Sequence, residues 1–351
     1  MNIVFVDAKC RSLYDTNVMR TEALGGTEAT VVRIANGLSL HHSVKVVQHN
    51  REVAREESPS LQFLPLANLS DVIKNAHHIF FIQKAQYIDK IALATRARLW
   101  LWLHNYLGDE VPFYWADHLR YRLGIICVSK THASHTRRHL RSLPAYWASL
   151  GTLGRGGLLY HYNPLDHSLH STAPAKRDMN KLIFFSSPHK GIEHVISLFG
   201  EVYKKNNKLR LFVADPGYMK ENHIDGLDNP GIVNLGKLPQ HEILNHVREA
   251  LCVFYPQRKR PETFGLVYAE SNAVGTPVLA HDFGSAAEVL VEGNPPLDAS
   301  QSQVVINTLL DWSTNGGPVV QANPSFKIAL IIDNWNKFLF NPKQFIQEQT
   351  F

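Results

Sequence analysis

Glu262 and Glu270 stand eight positions apart in the segment Pro-Glu-Thr-Phe-Gly-Leu-Val-Tyr-Ala-Glu-Ser-Asn-Ala-Val-Gly-Thr-Pro-Val-Leu-Ala, which runs from Pro261 to Ala280. An apolar run, Leu251 to Tyr255, leads in as a buried strand, and a basic loop, Gln257 to Arg260, follows it. A helical pattern from about Phe264 to Ala273 is then stopped by Gly275 and Pro277. One carboxylate therefore precedes a helix N-terminus, and the other lies about two turns along, roughly 10 Å further down the axis. The backbone N–H groups of Phe264, Gly265 and Leu266 lie between them and make an anion site at the positive end of the helix dipole. Gly265 has no side chain to block a close approach. The order carboxylate, anion cradle, carboxylate fits a long ligand with a diphosphate in its middle and hydroxyl-rich groups at both ends. A sugar nucleotide has that shape. Two glutamates at helical spacing can equally make a solvated face. Glu270, however, sits in an apolar helix, where an unpaired carboxylate is costly.

The elements that must hold these groups alternate short apolar runs with amphipathic segments, the pattern of parallel sheets flanked by helices. Strands are expected at Asn2–Val6, Ser43–Gln48, Leu61–Leu64, His78–Ile82, Leu99–Leu103, Gly124–Val128 and Leu158–Tyr162, and helices at Thr27–Leu40, Asp117–Arg122 and Lys130–Leu140. A looser polar stretch, Leu165 to Asn180, reads as a linker. The pattern restarts with strand Leu182–Ser186, helix Ile192–Lys204, strands Leu209–Ala214 and Gly231–Leu235, helix Gln240–Ala250 and strand Leu251–Tyr255. The glutamate segment and strand Val278–His281 come next. Two α/β domains are expected, residues 1–168 and 169–333, a usual size for such units in a chain of 351 residues.

Composition narrows the class. With 44% hydrophobic and 19% charged residues and no low-complexity tract, this is the make-up of a soluble globular protein. No apolar run approaches the roughly 18 residues that span a bilayer, and Met1 to Asp7 enters a strand without a secretory pattern. Cys10, Cys127 and Cys252 lie far apart with no Cys-x-x-Cys, as reduced thiols of a cytoplasmic protein do. The net charge of +5 favours anionic partners. The clusters Arg137 to Arg141 and Arg258 to Arg260 suit an anionic membrane surface, met peripherally, or a phosphorylated acceptor; ordinary solvated charge is the alternative. No zinc-finger, helix-turn-helix or RNA-recognition pattern supports nucleic-acid binding. Oligomeric state leaves no readable sign.

The stretch from Val253 to Leu290 resembles the signature region of the retaining, nucleotide-sugar-dependent glycosyltransferases of the group 1 (family 4-like) type. That pattern runs Pro-Glu-x-Phe-Gly, then Glu-Ala-x-Ala-x-Gly-x-Pro-Val, then a short loop and a Glu-Val-hydrophobic helix. Pro261, Glu262, Phe264 and Gly265 meet its first part, and Glu270, Ala273, Gly275, Thr276, Pro277 and Val278 its second. Gly284, Glu288, Val289 and Leu290 meet the third, while Ser271-Asn272 replaces the commoner Ala-Met. The resemblance implies an α/β GT-B fold: two Rossmann-like domains facing each other across a cleft, with a C-terminal helix, residues 334–351, crossing back to the first domain.

The resemblance also implies roles. Glu270 would hold the ribose hydroxyls, and Glu262 would contact the transferred sugar and support an oxocarbenium-like transition state. Lys190 and the N–H groups of residues 264–266 would hold the diphosphate and offset its charge as it leaves. Lys190-Gly191, with Ser187 nearby, occupies the family's loop between a strand and a helix, in Phe185-Ser186-Ser187-Pro188-His189-Lys190-Gly191. Many members carry an Arg five residues before that Lys, where this chain has Phe185. Either Ser186 and Ser187 with Lys190 suffice, or Arg258 or Arg260 supplies the second charge. Gly25 and Gly26, in Leu24-Gly25-Gly26-Thr27-Glu28, resemble the N-terminal glycine loop near the donor phosphates. The Gly-x-Gly-x-x-Gly spacing of a nicotinamide fingerprint is missing. His104, ending the apolar run Trp100 to Leu103, takes the place of a histidine that contacts the donor sugar. No Asp-x-Asp occurs, which fits chemistry without a metal or a resident cofactor.

These residues together imply a metal-independent transferase that moves a sugar from a nucleoside-diphosphate sugar to a glycan or lipid-linked acceptor. A catalytically silent nucleotide-sugar-binding scaffold is one alternative. A nucleotide-sugar epimerase or a sugar phosphorylase on the same fold is another.

Overall fold

The computed structural model describes residues 1–108, 120–142, 157–170, 176–215 and 226–349, so the first half of the helix expected at Asp117–Arg122 lies outside the described residues. The chain divides into two compact units. The first holds residues 1–16, 30–164 and 328–351; the second holds 17–29 and 165–327. The sequence placed divisions after 168 and after 333, a few residues later, and gave residues 17–29 to the first domain rather than the second.

In the first unit the described strands are β1 (Asn2–Asp7), β2 (Ser43–Gln48), β3 (Arg55–Ser58), β4 (Leu61–Pro65), β5 (His78–Ile82), β6 (Arg98–Trp102), β7 (Gly124–Cys127) and β8 (Leu158–Tyr160). They form one sheet in the order β3-β4-β2-β1-β5-β6-β7-β8. All pairings are parallel except β3 with β4. Central strands buried on both faces must be apolar throughout, as Ile3 to Val6 and Ile79 to Ile82 are. That makes them legible. The edge strand β3, Arg-Glu-Glu-Ser, has no apolar alternation and was not expected; its charges suit an edge. Helices α1 (Thr16–Thr21), α2 (Gly26–Ser39), α3 (Leu69–Val72), α4 (Ile88–Ala94) and α5 (Lys130–Ser142) lie between the strands in sequence; α1 beyond Thr16 and the first turn of α2 are counted with the second unit. Of these α1, α3 and α4 are too short to show a helical period.

The second unit carries β9 (Asp178–Phe185), β10 (Arg210–Asp215), β11 (Ile232–Lys237), β12 (Ala250–Tyr255) and β13 (Val278–Ala280), with helices α6 (Ile192–Lys205), α7 (Gln240–Glu249), α8 (Leu266–Ala273), α9 (Ala286–Val289) and α10 (Ser302–Asn315). Its parallel sheet has the order β11-β10-β9-β12-β13. Counted within the unit this is third, second, first, fourth, fifth, the doubly wound Rossmann arrangement. The direction of winding reverses between β9 and β12, and ligands settle beyond the carboxyl ends of the strands at such a reversal.

The chain closes with α11 (Ile328–Phe340) and α12 (Pro342–Glu348), which belong to the first unit. Helix α11 starts at Ile328 rather than Asn334, because the buried stripe Ile331, Ile332, Trp335, Phe338 and Leu339 already requires its first turn. Trp335 packs edge-on against Phe80 at 5.3 Å, and Phe338 against Trp100 at 4.7 Å.

Candidate active site

The site is built where β9 and β12 end side by side. Strand β12 is buried along its whole length, and its continuation carries Pro256 to Gly265. Strand β9 continues into Ser186 to Gly191. The two loops bring Lys190 and Glu262 together across 72 positions of sequence, with Lys190 Nζ 2.7 Å from Glu262 Oε1 and 2.7 Å from Oε2. The Tyr255 hydroxyl, at the end of β12, donates to Glu262 Oε1 at 2.7 Å. A phenol has one proton, so the Ser186 hydroxyl, 3.1 Å away, donates to Tyr255 in turn. Burial first, and the Glu262 carboxylate second, push the Tyr255 phenol well above its ordinary value, so it stays a donor.

Loop geometry holds Glu262 in place. Gly265 has φ +81°, and this left-handed turn starts α8. Gly284 has φ +62°, and a Cβ there would lie 2.7 Å from the Glu262 carbonyl oxygen. Its neighbour Ser285 donates its backbone N–H to that carbonyl at 3.0 Å and its hydroxyl to the Phe264 carbonyl at 2.7 Å. The Phe264 ring packs edge-on against Phe326 at 4.9 Å. Within α8 the Gly265 carbonyl accepts from Tyr268 and Ala269, so the N–H groups of Leu266 and Val267 open the helix ahead of its first bonds.

Glu270 lies on α8 and is only 2% exposed. Gln240, the first residue of α7, donates its side-chain N–H to Glu270 Oε2 at 2.5 Å. Ser187 is buried; its hydroxyl meets His189 Nδ1 at 2.5 Å, and its carbonyl accepts the Lys190 N–H at 3.0 Å. Gly25 accepts the Ala29 N–H at 2.9 Å as α2 begins, and Gly26 lies against the side chain of Leu266. The glycine loop and the start of α8 are therefore neighbours within the second unit.

Arg258, Lys259 and Arg260 are exposed. Their loop is shaped by Gln257, which is fully buried. Its Oε1 accepts the N–H groups of Lys259 and Arg260 at 3.0 and 3.1 Å, and its Nε2 donates to the Arg260 carbonyl at 2.8 Å. The Arg258 charge bears on His194, whose imidazole is lowered first by burial and then by that guanidinium.

His104 belongs to the first unit, just beyond β6. The Gln83 side chain accepts its backbone N–H at 3.1 Å, and its ring lies 4.7 Å from that of Trp102. Burial, with His132 as a smaller influence, pushes His104 down to about 3. It is a neutral imidazole near neutral pH, suited to hydrogen bonding rather than to carrying charge.

Tyr255, Gln257, Gln240 and Ser285 build the site without belonging to any motif seen in the sequence. Tyr255 left one usable signal, a hydroxyl at the end of an otherwise apolar strand.

Residues 171–312 match the model of the family described as glycosyl transferases group 1. The matched stretch lies within the second unit and carries the group 1 glycosyltransferase pattern. The chain is accordingly an enzyme of the glycosyltransferase class, EC 2.4. No curated protein matches the chain by sequence. Among solved structures it resembles AviGT4, a glycosyltransferase involved in avilamycin A biosynthesis, with 13% identity over 97% of this chain and 98% of that one and a TM-score of 0.61. The sucrose-phosphate synthase of Thermosynechococcus elongatus shares 14% identity over 99% and 96% of the chains, with a TM-score of 0.61. The α,α-trehalose 6-phosphate synthase of Burkholderia multivorans shares 9% identity over 100% and 99%, with a TM-score of 0.64. At these identities the likeness is one of fold, and the fold is GT-B with two Rossmann-like domains.

Proposed function

We propose that the chain is a retaining transferase that moves a sugar from a nucleoside diphosphate to a hydroxyl of a glycan or lipid-linked glycan, without a metal or a resident cofactor. The observation that carries this is the Lys190–Glu262 pair, set at the winding reversal of the second sheet beside the opening N–H groups of α8. An ammonium and a helix N-terminus are what a departing diphosphate needs. A carboxylate beside them suits the positive charge that develops on the sugar. Glu270, about one turn into α8, suits the ribose hydroxyls, and His104 a hydroxyl of the donor sugar. In the reaction the anomeric carbon–phosphate oxygen bond breaks, the acceptor oxygen bonds to the same carbon, and the acceptor proton passes to the leaving phosphate. Attack from the leaving group's own side retains configuration.

The basic face of α5 supports peripheral contact of a cytoplasmic enzyme with anionic lipid. No helix among the described residues is long and apolar enough to cross a membrane. The test is incubation with UDP-, GDP-, ADP- and TDP-sugars, with and without EDTA, reading nucleoside diphosphate release and the anomeric configuration of the product by NMR. Release insensitive to EDTA, with retained configuration, is expected. Isomerised donor with no nucleoside diphosphate release, or an inverted product, would overturn the proposal.

A further inference from the structure

The Glu262 carboxylate accepts from Lys190 and from Tyr255, and these donors differ in what they can do next. Lys190 is 28% exposed at its side chain and sits on a loop, whereas Tyr255 is wholly buried at the end of β12. A nucleoside diphosphate arriving at α8 competes for the Lys190 ammonium, because two phosphate charges attract a cation more strongly than one carboxylate does. Tyr255 cannot leave. Its ring is enclosed by Phe184 at 5.6 Å and Tyr268 at 5.8 Å, and its hydroxyl is oriented by Ser186. We propose that Tyr255 is a positioning residue for transfer: Lys190 passes from Glu262 to the diphosphate when donor binds, and the Tyr255 hydroxyl then holds the Glu262 carboxylate in place against the sugar. This rests on the functional reading above, which gives Glu262 and Lys190 their separate tasks.

The relay Ser186 to Tyr255 to Glu262 also accounts for a departure from the family pattern. The residue at the Arg position is Phe185, the buried last residue of β9 before its loop. The next residue, Ser186, contributes a neutral hydroxyl rather than a charge. Glu262 is thereby fixed from below by neutral donors, and Lys190 remains available to the donor.

The experiment is a double-mutant cycle of Tyr255→Phe and Glu262→Gln on the full chain, with steady-state transfer and nucleoside diphosphate binding both measured. Enzyme concentrations are set high enough to read residual rates. Tyr255→Phe removes one hydroxyl and keeps the ring. The expected result is a kcat lower by about 10- to 100-fold, with donor KM and nucleoside diphosphate affinity nearly unchanged. In the Glu262→Gln background the same change should have almost no further effect. An unchanged kcat in Tyr255→Phe would overturn the proposal, as would an equal loss in both backgrounds, since a merely structural tyrosine would act regardless of residue 262. If Tyr255→Phe fails to fold, Ser186→Ala takes its place, with a smaller kcat loss that again disappears beside Glu262→Gln. A wild-type chain that turns over no donor fails the functional reading; a wild-type chain that turns over donor and tolerates both changes fails this inference alone.

Discussion

Lys190 Nζ stands 2.7 Å from both carboxylate oxygens of Glu262, and the two residues reach each other only because β9 and β12 are neighbours in the sheet. The pair is half-sheltered, with side-chain exposures of 28% and 8%. Removing one charge therefore leaves the other poorly compensated, which costs stability as well as activity. Isosteric changes are the cleaner probes: Glu262→Gln and Lys190→Met keep the shape of each side chain and remove its charge.

Glu270 and Gln240 give a prediction about binding alone. Glu270→Ala should weaken nucleoside diphosphate affinity by about 10- to 100-fold, the range for hydrogen bonds to a charged group. Gln240→Ala should weaken it by less, since it removes only the residue that steadies the carboxylate. Isothermal titration with UDP and GDP reads both. An unchanged affinity in Glu270→Ala would remove Glu270 from the nucleotide site.

Gly284 tests how closely the Glu262 loop is held. A methyl group there would meet the Glu262 carbonyl at 2.7 Å and its nitrogen at 3.0 Å, on top of a φ of +62°. Gly284→Ala should cost about 1–3 kcal/mol and lower kcat together. Gly316→Ala, at φ +89° but in open space, should cost less and leave kcat alone. Urea unfolding and steady-state rates on the two variants make the comparison, and equal costs would show that the contact with Glu262 is slack.

Much of this was legible in the sequence because it is periodic or patterned. The buried central strands, helices α2, α5, α6 and α7, and the Glu262–Glu270 segment all carry continuous apolar runs or a dense motif. What was not legible depends on who meets whom in space. Nothing in the sequence says that Tyr255 turns its hydroxyl to a carboxylate seven positions on, or that Gln257 folds back on its own loop. The roles of Arg258 and Arg260 stayed open in the sequence, and the structure adds that both are exposed on a loop shaped by Gln257. Strand β3 and the short helices were missed for lack of any period.

Acid should loosen the C-terminal helix. His42 Nε2 meets Asn336 Oδ1 at 2.9 Å, His78 faces Phe338 at 6.3 Å, and His161 stacks on Trp335 at 4.5 Å. Burial is the main cause that lowers all three, to about 4 for His78 and about 3 for His161. The unfolded chain binds protons near 6.5 that the folded one refuses, so stability is full above that value. It is lost as pH falls towards 4 and then 3. Melting temperatures from pH 7.5 down to 5 should fall, and His161→Phe, which keeps a ring against Trp335, should flatten the slope. A slope unchanged in that variant would mean His161 does not take part.

The central claim is that Glu262 and Lys190 act on a nucleotide sugar, and nucleoside diphosphate release measured with the donor that wild type accepts tests it most directly. Glu262→Gln and Lys190→Met should each lower the rate by a factor on the order of 100 or more while circular dichroism stays that of the folded chain. Wild-type rates in either folded variant would contradict the account.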